Sequence, residues 1–259
     1  MSETRSLSLL SIGNAVAWLG VITVNGLANA LPINGLTTGE LSDMYPNLFV
    51  PAGFTFSIWG IIYLALLVFV IYQFTRKGSS GREAVGIWWI VNAFANMGWI
   101  FAWHYKYVEL SLVIMLVLLF TLFMITTRIE RRRAAGQKIS LIASVPFSIY
   151  FGWISVATIA NVTTLLVDKG WQGAGVSEAM WASIMICVAI LLAFLMLHFK
   201  RNLAFGAVVV WALYGIYSKQ IDGGADLVAY TAGIGLIALI AVLAITTIRS
   251  WKYYRGLRT

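Results

Sequence analysis

The sequence predicts an all-α fold, a polytopic membrane helix bundle with eight transmembrane helices. Three observations carry that expectation. Of the 259 residues, 60% are hydrophobic and only 11% charged, more apolar surface than a soluble domain buries. The apolar residues fall into eight runs of about 17 to 27 residues, which suits a hydrocarbon layer of about 30 Å with some tilt. The basic residues alternate from loop to loop, the pattern that an even number of crossings produces.

The runs are 8–31, 54–74, 84–104, 108–128, 140–166, 179–198, 203–219 and 226–248. The first begins after Arg5 and ends in Ala28-Asn29-Ala30, which mimics a cleavage site. It is too long for a signal peptide, however, and it carries Asn14, Trp18 and Asn25, so it reads as a retained span. The segment between the first two runs, "LPINGLTTGELSDMYPNLFVPAG" (31–53), is the longest outside the spans. Pro32, Pro46 and Pro51 with Gly35, Gly39 and Gly53 give it a shape, and connections of that length are usually functional or disordered. It is a candidate lid.

Of the 18 Lys and Arg residues, all but Lys106, Lys169 and Lys219 fall on one side of this arrangement. These are Arg5, Arg76, Lys77, Arg82, Arg128, Arg131, Arg132, Arg133, Lys138, Lys200, Arg201, Arg249, Lys252, Arg255 and Arg258. The positive-inside rule puts that side, and both termini, in the cytoplasm. The expected location is a prokaryotic cytoplasmic membrane. The acidic residues Glu40, Asp43, Glu109, Asp168, Glu178, Asp222 and Asp226 lean to the other side. The net charge of +8 is therefore an orientation signal, and no nucleic-acid partner is expected. Cys187, His104 and His198 make neither a disulfide nor a metal set. There is no phosphate loop, nucleophile elbow or zinc helix motif. No span has a clear charge in its middle, which argues against proton pumps and ion-coupled carriers.

The third run holds "NAFANMGWIFAW" (92–103). Asn92, Asn96, Trp99 and Trp103 follow steps of four, three and four, one stripe of a helix. The fifth run repeats the pattern with Tyr150, Trp153, Ala157 and Asn161, and the second with Phe56, Trp59 and Tyr63. The first leaves the membrane through Asn25 and Asn29, and the seventh offers Trp211, Tyr214 and Ser218. All five faces lie in the outer half, under the same long loop. An interfacial belt accounts for Trp88, Trp89, Trp171, Trp251, Tyr253 and Tyr254, and reaches Trp103 and His104 at the outer boundary. Single asparagines also serve as inter-helix glue. Tyr63 and Tyr150, near mid-membrane, fit no belt. Aromatic walls with a few amides describe a site for a flat, largely apolar ligand. The expected cavity sets Asn92, Asn96, Trp99 and Trp103 against Trp59, Tyr63, Tyr150, Trp153 and Asn161.

These residues resemble the translocator protein family, the tryptophan-rich sensory proteins (TspO/MBR). In "PAGFTFSIWGIIY", Pro51, Phe54, Phe56, Trp59 and Tyr63 are similar to the start of that family's second helix. In "NAFANMGWIF", Asn92 stands where the family has Gln, followed by Asn96, Trp99 and Phe101. In "PFSIYFGWISVATIAN", Tyr150, Trp153, Ala157 and Asn161 follow the fifth-helix pattern, with Pro146 four residues before Tyr150 rather than adjacent. The second-span segment is one residue short between its Phe and Trp.

The resemblance covers roughly residues 8 to 166. It implies a TspO-like five-helix transmembrane core over 1–167, with 168–259 as an additional three-helix transmembrane segment packed on it. It also implies a pocket for porphyrins, sterols or drug-like molecules, capped by the first loop. No cofactor is required; a porphyrin or haem-like molecule is a ligand. The partners are then a hydrophobic small molecule and membrane lipids, with a homodimer left open.

Three functions stay in play. The first is a membrane ligand-binding or sensory protein for a tetrapyrrole such as protoporphyrin, or for a sterol-like molecule. The second is a small-molecule membrane transporter, because "AFGAVVVWALYGIY" (204–217) loosely echoes "AGFTFSIWGIIY" (52–63) in the opposite direction. The third is a porphyrin-degrading membrane enzyme, an activity proposed for some bacterial members of the family. Only Tyr63, Tyr150 and His104 offer inward chemistry for it, and no catalytic residue is assigned.

Overall fold

The computed structural model describes residues 9–31, 33–75 and 79–256, with side chains over 9–31, 33–75 and 80–249. Arg5, Pro32, Arg76, Lys77 and Arg258 lie outside the described residues, as do the side chains of Trp251, Lys252, Tyr253, Tyr254 and Arg255. Every regular element among the described residues is helical. The α-helices, in chain order, are α1 (Leu9–Ala30), α2 (Thr38–Asp43), α3 (Ile58–Tyr72), α4 (Ser79–Val85), α5 (Trp88–His104), α6 (Val108–Ala134), α7 (Leu141–Asp168), α8 (Glu178–Lys200), α9 (Leu203–Gly223) and α10 (Asp226–Gly256), with short 3-10 helices at Ile33–Gly35, Gly53–Ser57 and Gly173–Gly175.

Among the described residues, six segments are long and apolar enough to cross a membrane: Leu9–Ala30, Gly53–Tyr72, Val108–Ala134, Leu141–Asp168, Glu178–Lys200 and Asp226–Arg249. The count of eight is not reached by length and composition. Helix α5 has 17 residues, about 26 Å at 1.5 Å per residue. The apolar run of α9 closes in Ser218, Lys219, Gln220 and Asp222. The expected run 84–104 is also divided. Gly86 takes φ +58° after α4, and α5 starts only at Trp88. A glycine in that left-handed region ends a helix without the Cβ penalty.

The chain forms two compact units interleaved in sequence: residues 1–38 with 58–147, and residues 39–57 with 148–259. One change of unit falls inside α7, between Phe147 and Ser148. That point is one residue past Pro146, which cannot donate the helix hydrogen bond.

In the first unit, α5 and α6 form a hairpin through Tyr105–Tyr107. Lys106 is left-handed at φ +60°, and the Tyr107 N–H donates to Ala102 O at 2.9 Å. Asn92 of α5 donates to Thr121 Oγ1 of α6 at 2.8 Å. At the basic end, several arginines counted as orientation signals also fasten the fold. Arg128 donates to Ala84 O (2.9 Å) and Glu83 O (3.1 Å), meeting carbonyls that α4 leaves open at its end. Arg133 closes the α6–α7 turn on Ile139 O (3.1 Å) and Ser144 Oγ (2.7 Å).

In the second unit, α8 and α9 are joined by two residues. Arg201 takes φ +48°, and the Asn202 side chain accepts from Phe205 N to cap α9. Gly206 lets the two helices close up, since a Cβ there would lie 2.6 Å from Leu197 Cδ2. Gly235 of α10 meets Ile190 of α8 in the same way. Small residues at such contacts are how membrane helices approach closely.

Candidate functional site

The α5 stripe is buried along its length: Asn92, Asn96, Trp99 and Trp103 all are. Its members face different neighbours. Asn92 is occupied with α6 through Thr121 Oγ1 and Leu118 O. Asn96, one turn on, faces α1, where its Oδ1 accepts from Asn25 Nδ2 at 2.7 Å. The second Asn25 amide hydrogen goes back to Val21 O of its own helix at 2.9 Å. Bonds of this kind between membrane helices are worth about 0.6 to 1.7 kcal/mol each. Both asparagines therefore act as glue, and Asn96 also presents an amide one turn from Trp99. Asn29 is exposed and its amide returns to Asn25 O of its own helix.

Trp99 and Trp103 stack, with ring centroids 5.5 Å apart and planes 13° off parallel. Their indole nitrogens differ. Trp103 Nε1 donates to Thr38 O at 3.3 Å. Trp99 Nε1 is buried and has no hydrogen-bond partner among the described residues. A buried donor left unpaired costs about 1–3 kcal/mol, so this atom is a place where an acceptor would be stabilising. Trp59 and Tyr63 of α3 stack as well, at 5.5 Å and 22°, both half-buried. The Tyr63 carbonyl accepts from Trp18 Nε1 of α1 at 3.1 Å.

Above the end of α5 lies the start of the long connection, in the same unit. His104, which the sequence leaves between the interfacial belt and an inward position, is fully buried. Its Nδ1 is 2.9 Å from Ile33 O and its Nε2 3.1 Å from Thr38 Oγ1. Its own carbonyl accepts from Asn34 Nδ2 at 3.0 Å. A carbonyl only accepts, so Nδ1 carries the proton; in the neutral ring, Nε2 then accepts from the threonine hydroxyl. Asn34 itself sits at φ +58°, a left-handed position that asparagine tolerates better than most residues. Residues 33–38 are thus tied over the His104 end of α5 by side chains at both of their ends.

The remaining expected site residues belong to the second unit. Phe56 meets Trp153 edge-on at 5.8 Å. Phe54 is 45% exposed and packs edge-on against Trp211 at 5.5 Å, with Tyr214 at 5.6 Å. Tyr150, Trp153 and Asn161 are buried and Ala157 is half-buried.

Sequence reasoning missed a second buried polar cluster, at the far end of α1. Asn14 Nδ2 donates to Gln73 Oε1 (2.9 Å), and Gln73 Nε2 donates to Ser11 O (3.2 Å). Arg82 reaches Ser11 Oγ (3.2 Å), and Trp89 Nε1 reaches Asn14 O (3.1 Å). Trp89, read as a belt residue, is fully buried here. The Asn14–Asn25 spacing of 11 residues, three helical turns, was the signal: both residues lie on one face of α1.

Residues 11–245 match the model of a family described as TSPO-like protein. The match runs on through α8 and α9 and into α10, well past residue 166, where the sequence resemblance stopped. No curated protein and no solved structure matches the chain.

Proposed function

We propose that this chain, which belongs to the TSPO-like protein family, is an integral membrane protein that binds and senses a flat hydrophobic molecule of the tetrapyrrole or sterol class. The observation that carries this reading is the Trp99–Trp103 stack, with its one unsatisfied indole N–H. A planar ring lies on indole faces with a gain of about 0.5–1.5 kcal/mol per contact beyond area burial. An acceptor on the ligand, such as a carboxylate, a carbonyl or a hydroxyl oxygen, pairs with Trp99 Nε1–H. The Asn25–Asn96 pair supplies the polar rim one turn below, and residues 33–38 supply the cap. The basic-residue asymmetry supports eight crossings with both termini cytoplasmic. On that reading α5 and α9 are short spans whose deficit is met by local bilayer thinning, and the Trp99 site opens in the outer half.

The test is quenching of tryptophan fluorescence in purified, reconstituted protein by protoporphyrin, a sterol and a retinoid. Trp99→Ala weakens binding of the recognised ligand by about tenfold or more, since stacking and the hydrogen bond are both lost. Trp99→Phe keeps a ring and loses only the donor, so its loss is smaller. Trp88→Ala, which removes an edge contact with Phe120, leaves binding unchanged. Equal losses at Trp99 and Trp88, or binding of none of the three probes, would sink the proposal.

A further inference from the structure

Beyond α2, residues 44–57 hold only a short 3-10 helix at Gly53–Ser57, yet Phe49, Val50 and Thr55 are at most 3% exposed. An irregular segment can be buried only if its backbone polar groups find partners. Helix α9, in the same unit, supplies them. Gln220, itself buried, donates from Nε2 to Leu48 O at 2.9 Å. Trp211 Nε1 donates to Thr55 O at 2.9 Å. The Ala52 N–H donates to Gly215 O at 3.0 Å, a carbonyl in the middle of the helix. That approach needs the missing side chain of Gly215, whose place is taken by Thr55 Oγ1. Lys219 adds an exposed ion pair with Asp43 at 3.3 Å. Trp211, Gly215 and Lys219 stand four apart, so one stripe of α9 receives most of the segment. Within the segment, Asn47 Oδ1 accepts from Phe49 N (3.2 Å) and from Thr163 Oγ1 of α7 (3.3 Å), which shapes the turn presented to α9.

We infer that α9 is a built-in docking surface that keeps residues 44–57 ordered with no ligand bound, with Gly215, Trp211 and Gln220 as its positioning residues. The role is independent of what the Trp99 site binds. The loop's resting order comes from the chain itself, so regulation of that order runs through α9.

Hydrogen exchange of the ligand-free, full-length protein in a lipid nanodisc tests this directly. Amides of 44–57 in the unaltered protein are protected well beyond the free-chain rate. In the Trp211→Phe, Gln220→Ala double variant that protection falls roughly 5- to 150-fold, the worth of two net hydrogen bonds, while 33–38 and α5 are unchanged. Lys219→Ala, which removes only an exposed pair, leaves protection intact. The inference is overturned if the unaltered loop exchanges at the free-chain rate, a result that needs no variant to fold. It is equally overturned if the double variant keeps full protection.

Discussion

Replacing His104 with alanine is expected to release residues 33–38 from α5 while leaving the bundle intact. The substitution removes the Nδ1–H bond to Ile33 O and the hydrogen bond between Nε2 and Thr38 Oγ1. It spares the Asn34 bond to the residue 104 carbonyl and the Trp103 bond to Thr38 O, so the segment keeps these ties. Each lost bond carries a net worth of about 0.5–1.5 kcal/mol, so the local opening free energy falls by about 1–3 kcal/mol. At 1.4 kcal/mol per factor of ten, amide exchange in 33–38 speeds up roughly 5- to 150-fold. Thr38→Val removes only the hydroxyl and gives about the square root of that factor. Combining the two separates the contributions: in the alanine background, Thr38→Val adds nothing, because its imidazole partner is already gone. His104→Asn, which keeps a donor near the Nδ1 position, falls between. The readout is hydrogen exchange resolved to peptides covering 33–38, with α6 peptides as the internal reference. Unchanged exchange in 33–38 for His104→Ala refutes the latch, and so does a Thr38→Val effect undiminished by the alanine.

Two further outcomes follow from the loops. Burial first and the Asp168 carboxylate second raise the pKa of Tyr45 above its ordinary 10.0. Below 10.0 both folded and unfolded chains hold the proton and the contribution to stability is intact; it is lost as pH rises toward and through the folded value. A phenolate absorbance titration of the unaltered protein minus Tyr45→Phe isolates this group, and a midpoint at or below 10.0 refutes the assignment. For the topology, single cysteines at Thr38 and Gly136 in a Cys187→Ser background should react with an impermeant thiol reagent from opposite sides of sealed vesicles. Labelling of both from one side refutes the orientation drawn from the basic residues.

What could be read in advance followed from whether a feature depends on spacing or on partners. The stripe of Asn92, Asn96, Trp99 and Trp103 is a property of helical periodicity, and it lies on a buried face as the spacing implies. Its division of labour was not legible. Asn92 turns to Thr121 and Asn96 to Asn25 because α5 sits between α6 and α1, and a 100° step cannot name either neighbour. His104 is ambiguous in the sequence for a related reason. A histidine at a helix end next to a tryptophan has the composition of a belt. Only the return of Ile33 and Thr38 over it, some 70 positions earlier in the chain, makes it a buried anchor. The break between α4 and α5 was accessible, since "AVGIWW" places a glycine where a helix would end, but apolar continuity outweighed it.

The long connection shows the same limit with a larger consequence. Its length, prolines and glycines marked it as a shaped element, and 33–38 does lie over the Trp103–His104 end of α5. The larger part, 39–57, instead rests on a helix more than 150 residues away in sequence, through Trp211 and Gln220. The five-helix pattern had no place for that helix, so α8–α10 read as an appendage. The family match itself continues to residue 245. A segment whose backbone donors and acceptors are met by α9 cannot be treated apart from it, since without α9 Leu48 O, Thr55 O and the Ala52 N–H lose the partners they have there. Helix α9, late in this chain, is thereby part of what holds its first long loop in place.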